Sequence, residues 1–225
     1  MNTLLGPVLV LLYTADVLAI ASRHGIGEHL YADDIQLYIY IYKHAPADLC
    51  VASSSAVVSC IGELDRWMGS NRLKLNIDMT DFVLLRTRQQ IQKANFHSVQ
   101  LGGFDVHFST TVTCLGVLID SELTFSAHIK SLTGRCCYHL RQRRTVRRTL
   151  SVEAARTLVH TFVISPVDYY NSTFGSTSAV HLHPLQCVLN ASARLIVKRR
   201  KFDRITNSLR DELHWLQVQY RHTYK

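Results

Sequence analysis

Cysteine and histidine motifs are missing from this chain, and so are apolar runs long enough to cross a membrane. Six of the 225 residues are cysteine, too few for a disulfide scaffold, and no Cys-x-x-Cys pair suggests structural zinc. The histidines form no His-Glu-x-x-His pattern, so we assign no metal to histidine. These absences predict reduced thiols in an intracellular protein, cytoplasmic or nuclear.

The longest apolar run lies near the N-terminus, from Leu4 to Ala15. It is too short to span a bilayer, and Asp16 follows it at once. A signal peptide or membrane anchor is the alternative, but no Lys or Arg precedes the run. We predict a buried helix that continues to about Ala21, and no association with membranes.

Charge is divided unevenly along the chain. Residues 1–122 contain 8 Lys and Arg against 12 Asp and Glu, whereas residues 123–225 contain 17 against 5. No acidic residue occurs between Glu122 and Glu153. A basic half of this kind favours an anionic polymer as partner, and a solvated basic helix face is the alternative. The sequence indicates no specific protein partner.

The pattern of apolar residues predicts an α+β fold with a boundary near residue 122. In residues 1–122 it indicates a β-hairpin through 29–42, an amphipathic helix from about 47 to 70, a strand at 81–86 and a hairpin within 99–119. The strongest strand is expected at Cys114–Asp120. In residues 123–225 it indicates helices at 125–149, 151–165 and 178–198, with interruptions at Pro166 and Pro184.

The feature with chemical content is the sequence Tyr31-Ala32-Asp33-Asp34. Two adjacent carboxylates at a hairpin tip repel each other unless a cation lies beside them. Carboxylate oxygens suit Mg²⁺ or Mn²⁺, and such an ion can bind phosphate oxygens. Asp33 and Asp34 are therefore the candidate catalytic and metal-binding residues, with an ordinary surface turn as the alternative.

Residues 29–38 resemble the catalytic hairpin of reverse transcriptases from LINE-type, non-long-terminal-repeat retrotransposons. The resemblance continues in order along the chain, through Leu5–Leu9, Trp67–Met68, Asn71–Asn76 and Leu115–Asp120. It extends through the later segments that contain His128, Asp168, Asn171, Leu185, Ala193 and Leu213. It implies a partial polymerase palm in residues 1–122 and a thumb-like helical region with its extension in residues 123–225.

The resemblance implies RNA-templated DNA synthesis by two-metal transfer, with an RNA template and a DNA primer as partners. It also implies that Leu115, Gly116 and Val117 form a primer-grip-like strand. Two departures predict that the isolated chain is inactive. The family's third carboxylate lies upstream of the residues matched here, and Met79 stands where the family has a lysine that resembles the general acid. The alternatives are a catalytically dead nucleic-acid-binding remnant and a non-functional product of a decayed element.

Two clusters of basic residues are candidates for contact with nucleic acid through its phosphates. They comprise Lys130, Arg135, Arg141, Arg144 and Arg148, and then Lys198, Arg199, Arg200 and Lys201. A nuclear-localisation signal is a further interpretation of 198–201. Tyr38, Tyr40 and Tyr42 alternate along one strand face, and we expect them to pack in the core rather than to stack on bases. We expect Asp16 to have a capping or other structural role.

Overall fold

The computed structural model describes residues 5–32, 34–40, 47–85, 98–101 and 104–221. It combines helices with small antiparallel sheets, which is compatible with the expected α+β class. The chain divides into two compact units, one of residues 1–82 and 93–108, the other of residues 83–92 and 109–225. The hairpin that contains Leu115 thus belongs to the second unit, whereas the sequence pattern predicted a boundary near residue 122.

The first unit begins with two short helices, α1 (Leu5–Tyr13) and α2 (Ala15–Arg23). The predicted helix is present, but the prediction that it is buried is wrong for α1, because Val8, Leu9 and Leu12 are exposed. Helix α2 buries Val17, Ile20 and Ala21. Local propensity forms both helices, but burial depends on what packs against each, and no part of the described chain covers these residues of α1.

A hairpin and a long helix complete the core of this unit. Strands β1 (Gly27–Tyr31) and β2 (Asp34–Tyr38) pair antiparallel, and α3 spans Ala47–Ser70. The inward side chains of the hairpin, Leu30, Ile35 and Leu37, pack against a cluster formed by α2, Ile26 and α3. The predicted hairpin and its packing against the 47–70 helix are therefore confirmed.

The tyrosines of the hairpin do not pack as expected. Tyr40 is 84% exposed, and the ring of Tyr38 lies on the outer face 5.2 Å from the ring of His29. A Cβ at Gly27 would come within 2.4 Å of the Tyr38 ring, so glycine lets the ring lie against the opposite strand. The prediction that these tyrosines are core residues is wrong for Tyr38 and Tyr40, and Tyr42 lies outside the described residues.

A three-stranded sheet follows a single 3₁₀ turn at Ile77–Met79. Its strands are β3 (Phe82–Val83), β4 (Ser98–Leu101) and β5 (Phe104–Ser109), in the order β3-β5-β4. Strand β3 is shorter than the predicted 81–86. The expected hairpin around Gly102–Gly103 is confirmed by the pairing of Leu101 with Phe104, although both glycines lie outside the described residues.

The second unit begins with the hairpin of β6 (Thr111–Cys114) and β7 (Val117–Asp120). Its helices are α4 (Ser126–Val146), α5 (Val152–Val159), α6 (Ser165–Asp168), α7 (Ala179–Ile196) and α8 (Val218–Arg221). A π-helical turn at His160–Ile164 joins α5 to α6, a 3₁₀ helix spans Asn171–Ser176, and a second π-helical turn spans Ser208–Glu212.

The three helices predicted in this unit are confirmed, and their side chains form one core. The Ser151 hydroxyl accepts a hydrogen bond from the Ala154 N–H at 3.1 Å and caps α5. Leu132 of α4 and Leu185, Leu189 and Ile196 of α7 are buried at the centre of the cluster. Neither proline interrupts a helix as predicted, since Pro166 lies in the first turn of α6 and Pro184 lies inside α7.

Among the described residues, no helix is both long and apolar enough to cross a membrane. Cys60, Cys114, Cys136, Cys137 and Cys187 form no disulfide, as the sequence predicted. Cys136 is fully buried, and desolvation raises the pKa of its thiol to about 11. That thiol therefore behaves as a small core side chain rather than as a nucleophile.

Candidate functional site

The tip of the β1–β2 hairpin carries the candidate catalytic residues. Tyr31 pairs with Asp34 across the strands, and Ala32 lies in the turn that follows β1. Ala32 has φ 54°, the left-handed conformation that two-residue hairpin turns require. Asp34 is exposed at the start of β2, and Asp33 lies outside the described residues. The sequence thus correctly located one candidate carboxylate at the hairpin tip.

The chemistry of this tip fits a hard cation only in part. Asp34 makes no ion pair with any described residue, so its carboxylate is open to a ligand. The described residues contain no group of three His, Cys, Asp or Glu side chains able to hold a metal ion, but Asp33 is not among them. Asp34 therefore supplies a suitable oxygen ligand, and the complete metal site stays a prediction.

Two other carboxylates of the first unit, Asp16 and Glu63, lie on helices α2 and α3. Glu63 on α3 lies beside Arg23 and His24 of α2, with its carboxylate oxygen 2.8 Å from His24 Nε2. The hydrogen bond from His24, followed by the charge of Arg23, lowers the pKa of Glu63. Asp16 lies in the first turn of α2, where the helix dipole favours a negative charge. Both acids are explained by the packing and charge of these helices.

The segment Leu115–Val117 forms a turn and the start of a strand, where the sequence predicted one strand over Cys114–Asp120. Leu115 has φ 47° and Gly116 has φ 79°, so both central residues of the β6–β7 turn are left-handed. Such a turn reverses the chain, and the following Val117 is buried against the helices. The single-strand prediction is wrong because its apolar run contains this turn.

A side chain that directly follows α6 contacts this turn. The Tyr169 hydroxyl donates a hydrogen bond to the Leu115 carbonyl at 2.9 Å. Asp168, its neighbour, pairs with Arg221 of α8 at 2.6 Å. Tyr169 has no role in the sequence prediction, because a long-range contact of this kind leaves no local pattern.

Two buried polar contacts join β7 to α4. His128 Nδ1 accepts a hydrogen bond from the Leu118 N–H at 3.3 Å, and burial, with a smaller effect of Arg135, lowers the pKa of His128. The Asp120 carboxylate accepts from the N–H groups of Thr124 and Phe125 at 2.9 and 2.6 Å. An aspartate between a strand and a helix is a sequence signal that could have identified this second contact.

The predicted basic residues of the second unit are exposed as expected. Along α4 and just after it, these are Lys130, Arg135, Arg141, Arg144 and Arg148, and after α7 they are Lys198, Arg199, Arg200 and Lys201. None of them forms an ion pair with another described residue. The surface therefore carries charges that the fold itself does not neutralise.

Two further arginines have roles that the sequence did not indicate. The guanidinium of Arg147 is buried and donates to the carbonyls of Leu195, Ile196 and Leu150 at 2.6, 2.7 and 2.9 Å. Arg143 lies over the ring of Phe162, 4.0 Å from its centroid. Arg147 thus caps the C-terminal end of α7, and Arg143 packs on an aromatic ring.

Met79, which the sequence resemblance aligns with a lysine, ends the 3₁₀ turn of the first unit. Its side chain is 80% exposed, so it fills no core position. A methionine cannot donate a proton, and nothing in its surroundings explains an apolar residue there.

These features describe a mixed α and β protein with an exposed aspartate on a hairpin and an unneutralised basic helical surface. No protein-family model matches the chain, and no solved structure matches it. Among curated proteins, the probable RNA-directed DNA polymerase from transposon BS of Drosophila melanogaster is 25% identical over 234 residues. The match covers 99% of this chain but 25% of that relative, so the chain spans about a quarter of its length. The similarity relates the chain distantly to reverse transcriptases.

Proposed function

We propose that this chain is the palm-and-thumb portion of a LINE-type retrotransposon reverse transcriptase. In this proposal Asp33 and Asp34 hold Mg²⁺ or Mn²⁺, the turn at Leu115–Val117 supports the primer end, and the basic helical unit contacts the RNA template and DNA primer. The bound ion would supply charge stabilisation for phosphoryl transfer. The observation that carries the proposal is the exposed Asp34 on a two-residue hairpin, within a chain similar along its length to a transposon polymerase.

The basic surface supports the part of the proposal that concerns nucleic acid. Arg141 and Arg144 lie three residues apart and are exposed on α4, and Arg148 follows four residues later. Their mutual repulsion is relieved when they lie along a phosphate backbone and release its counterions. Contacts of this type position a template without reading its sequence.

A salt titration of binding tests this surface. Arg141, Arg144 and Arg148 changed together to Ala should weaken binding of a primer–template duplex of any sequence and flatten the salt dependence by about 2 to 3 in log–log slope. The matched control changes the exposed cations Arg66, Arg72 and Lys74 of the first unit to Ala and should leave the slope unchanged. Equal slopes for wild type and the first triple variant would exclude this surface.

The isolated chain is expected to show no primer extension. Two-metal transfer needs ligands that hold both ions about 3.5–4 Å apart, and Asp33 and Asp34 are adjacent on one hairpin. Loss of a general acid at Met79 lowers a rate by a further factor of about 10²–10⁴. The measurement is extension of oligo(dT) on poly(rA) with Mg²⁺ or Mn²⁺. Extension by wild type that disappears in Asp34→Asn would restore the interpretation as an active polymerase.

Met79 favours a second candidate function, a catalytically dead protein that still binds nucleic acid. Its side chain is exposed, so Met79→Lys should fold normally and place an amine at that position. Binding by wild type, with no primer extension by wild type or Met79→Lys, supports the binding protein. Extension by Met79→Lys alone would show that the remaining site is competent and that this one residue inactivates it.

A further inference from the structure

The C-terminal end of α4, which carries the last cations of the first basic cluster, lies beside the end of α7 within the second unit. Arg147, at the end of α4, donates to the last carbonyls of α7 at Leu195 and Ile196. The C-terminal ends of α4 and α7 therefore lie within the reach of one side chain. Arg148 follows Arg147 directly, and Lys198 comes two residues after Ile196. Residues far apart in sequence thus contribute cations to one surface.

The turn that follows α7 is held by its own hydrogen bonds. Lys198 is left-handed, with φ 57°, and the N–H of Arg199 returns to the carbonyl of Arg194 at 3.0 Å. The Arg194 guanidinium donates to the Asp203 carbonyl at 3.1 Å, and the Asp203 carboxylate accepts from the Arg200 N–H at 2.8 Å. The carboxylate of Asp203, the one acidic side chain of the turn, is therefore hydrogen-bonded to the backbone of the turn. Four exposed cations remain, namely Lys198, Arg199, Arg200 and Lys201.

Phe202 is the exception in this basic turn. Its side chain is 88% exposed, and its ring has Lys201 Nζ at 5.2 Å from the centroid. Burial of a phenylalanine side chain stabilises a fold by roughly 1.5–3 kcal/mol. A side chain as exposed as Phe202 makes no such contribution to the core. A flat ring among cations offers one face for a nucleobase and charges for the flanking phosphates.

We propose that this corner surface, formed by Arg144, Arg148, residues 198–201 and Phe202, binds single-stranded nucleic acid with Phe202 stacked on an unpaired base. The inference rests on the proposed function and deepens it by naming the strand state that this surface selects. Bases of a duplex are stacked on one another and cannot cover the ring, whereas an unpaired base can. The cations bind either form, so the preference for a single strand comes from Phe202.

The test compares a fluorescein-labelled oligo(U) RNA with a blunt RNA duplex of equal length by fluorescence anisotropy over a salt series. Phe202→Ala should weaken binding of the single strand roughly five-fold or more, leave the duplex affinity unchanged and keep the salt slope. Phe202→Trp should bind the single strand as tightly as wild type does. The fluorescence of the new tryptophan should be quenched when the complex forms. Because Phe202 is exposed, neither variant should disturb folding.

The control is Val180→Ala, another exposed apolar residue, at the opposite end of α7. It should change neither affinity. Equal losses for single strand and duplex in Phe202→Ala, or no loss, would overturn the inference while the proposed function survives. Failure of wild type to bind either RNA would instead contradict the proposed function. Phe202-dependent binding to phosphatidylserine vesicles without binding to RNA would assign the surface to membranes and overturn the inference.

Discussion

The two units of the chain differ in how they use charge and in how much core supports them. In the first unit the described core cluster has six buried residues, and Glu63 pairs with Arg23 and His24. In the second unit the cluster has twenty-two buried residues, and most cations have no acidic partner. A large core tolerates unneutralised surface charge, because its apolar burial offsets the self-repulsion.

Substitution of Arg147 should change the stability of the second unit more than any other substitution proposed here. Arg147→Met should lower the free energy of unfolding of the second unit by about 4 kcal/mol, because two buried carbonyls at the end of α7 lose their donors. The measurement is urea unfolding followed by Trp215, which packs on the second core, in a Trp67→Phe background. Arg148→Met, its exposed neighbour, should cost less than about 0.5 kcal/mol. Similar values for both variants would mean that apolar burial alone holds this unit.

The described core cluster of the first unit is small, so a single cavity within it is costly. Leu64 is 3% exposed, so Leu64→Ala should destabilise the unit by about 3 kcal/mol. Urea unfolding followed by Trp67, in a Trp215→Phe background, measures the loss. Asp65→Ala, its exposed neighbour on α3, serves as the control. A loss below about 1 kcal/mol would show that the cluster relaxes around the cavity, and that it is packed less tightly than its burial suggests.

Much of the fold follows from residues that are close in sequence. The apolar stripe of α3 and the Ser151 cap predict their helices, and the alternation around Asp34 predicts its hairpin, because these signals are local. The turn inside Cys114–Asp120 was missed because Leu115 is not a residue that favours φ of 47°. The exposure of α1 was missed because burial depends on distant partners.

The candidate site divides in the same way. Asp34 and the exposed cations could be placed from sequence, since a hairpin tip and an uninterrupted basic helix are local features. Arg147, Tyr169 and His128 could not, because each acts through a backbone group of another element. Among many similar arginines, only the tertiary fold distinguishes the buried Arg147 from the exposed Arg148.

Acid should distinguish the units through different groups. Burial lowers the pKa of His128 below its ordinary 6.5, so the unfolded chain binds more protons, and the second unit loses stability as the pH falls below about 6.5. The loss grows as the pH falls further, because the unfolded chain binds a proton at this group that the folded chain binds less readily. In the first unit, Glu63 is the described carboxylate whose pKa is lowered. The stability that Glu63 contributes is therefore lost only as the pH falls below about 4.5.

Urea unfolding at several pH values, followed by Trp215, measures this effect. His128→Asn keeps an acceptor for the Leu118 N–H but cannot be protonated, so the slope of stability against pH should decrease. His139→Asn is the comparison, because burial, together with Arg143, also lowers the pKa of His139. If His128→Asn leaves the slope unchanged, His128 is not the group that titrates.

The smallest expected effect concerns the strained turns that both units place at their hairpin tips. Ala32 and Leu115 are left-handed without being glycine, which costs roughly 1 kcal/mol each. Ala32→Gly should stabilise the first unit by about 0.5 kcal/mol, because relief of the clash exceeds the added entropy of the unfolded chain. Leu115→Gly should gain less, since it also removes a half-buried side chain. Trp67 and Trp215 again report the two units separately. Destabilisation by Ala32→Gly would show that the Ala32 methyl group makes a favourable contact, and the tip that carries Asp34 would then be held by packing rather than by turn geometry.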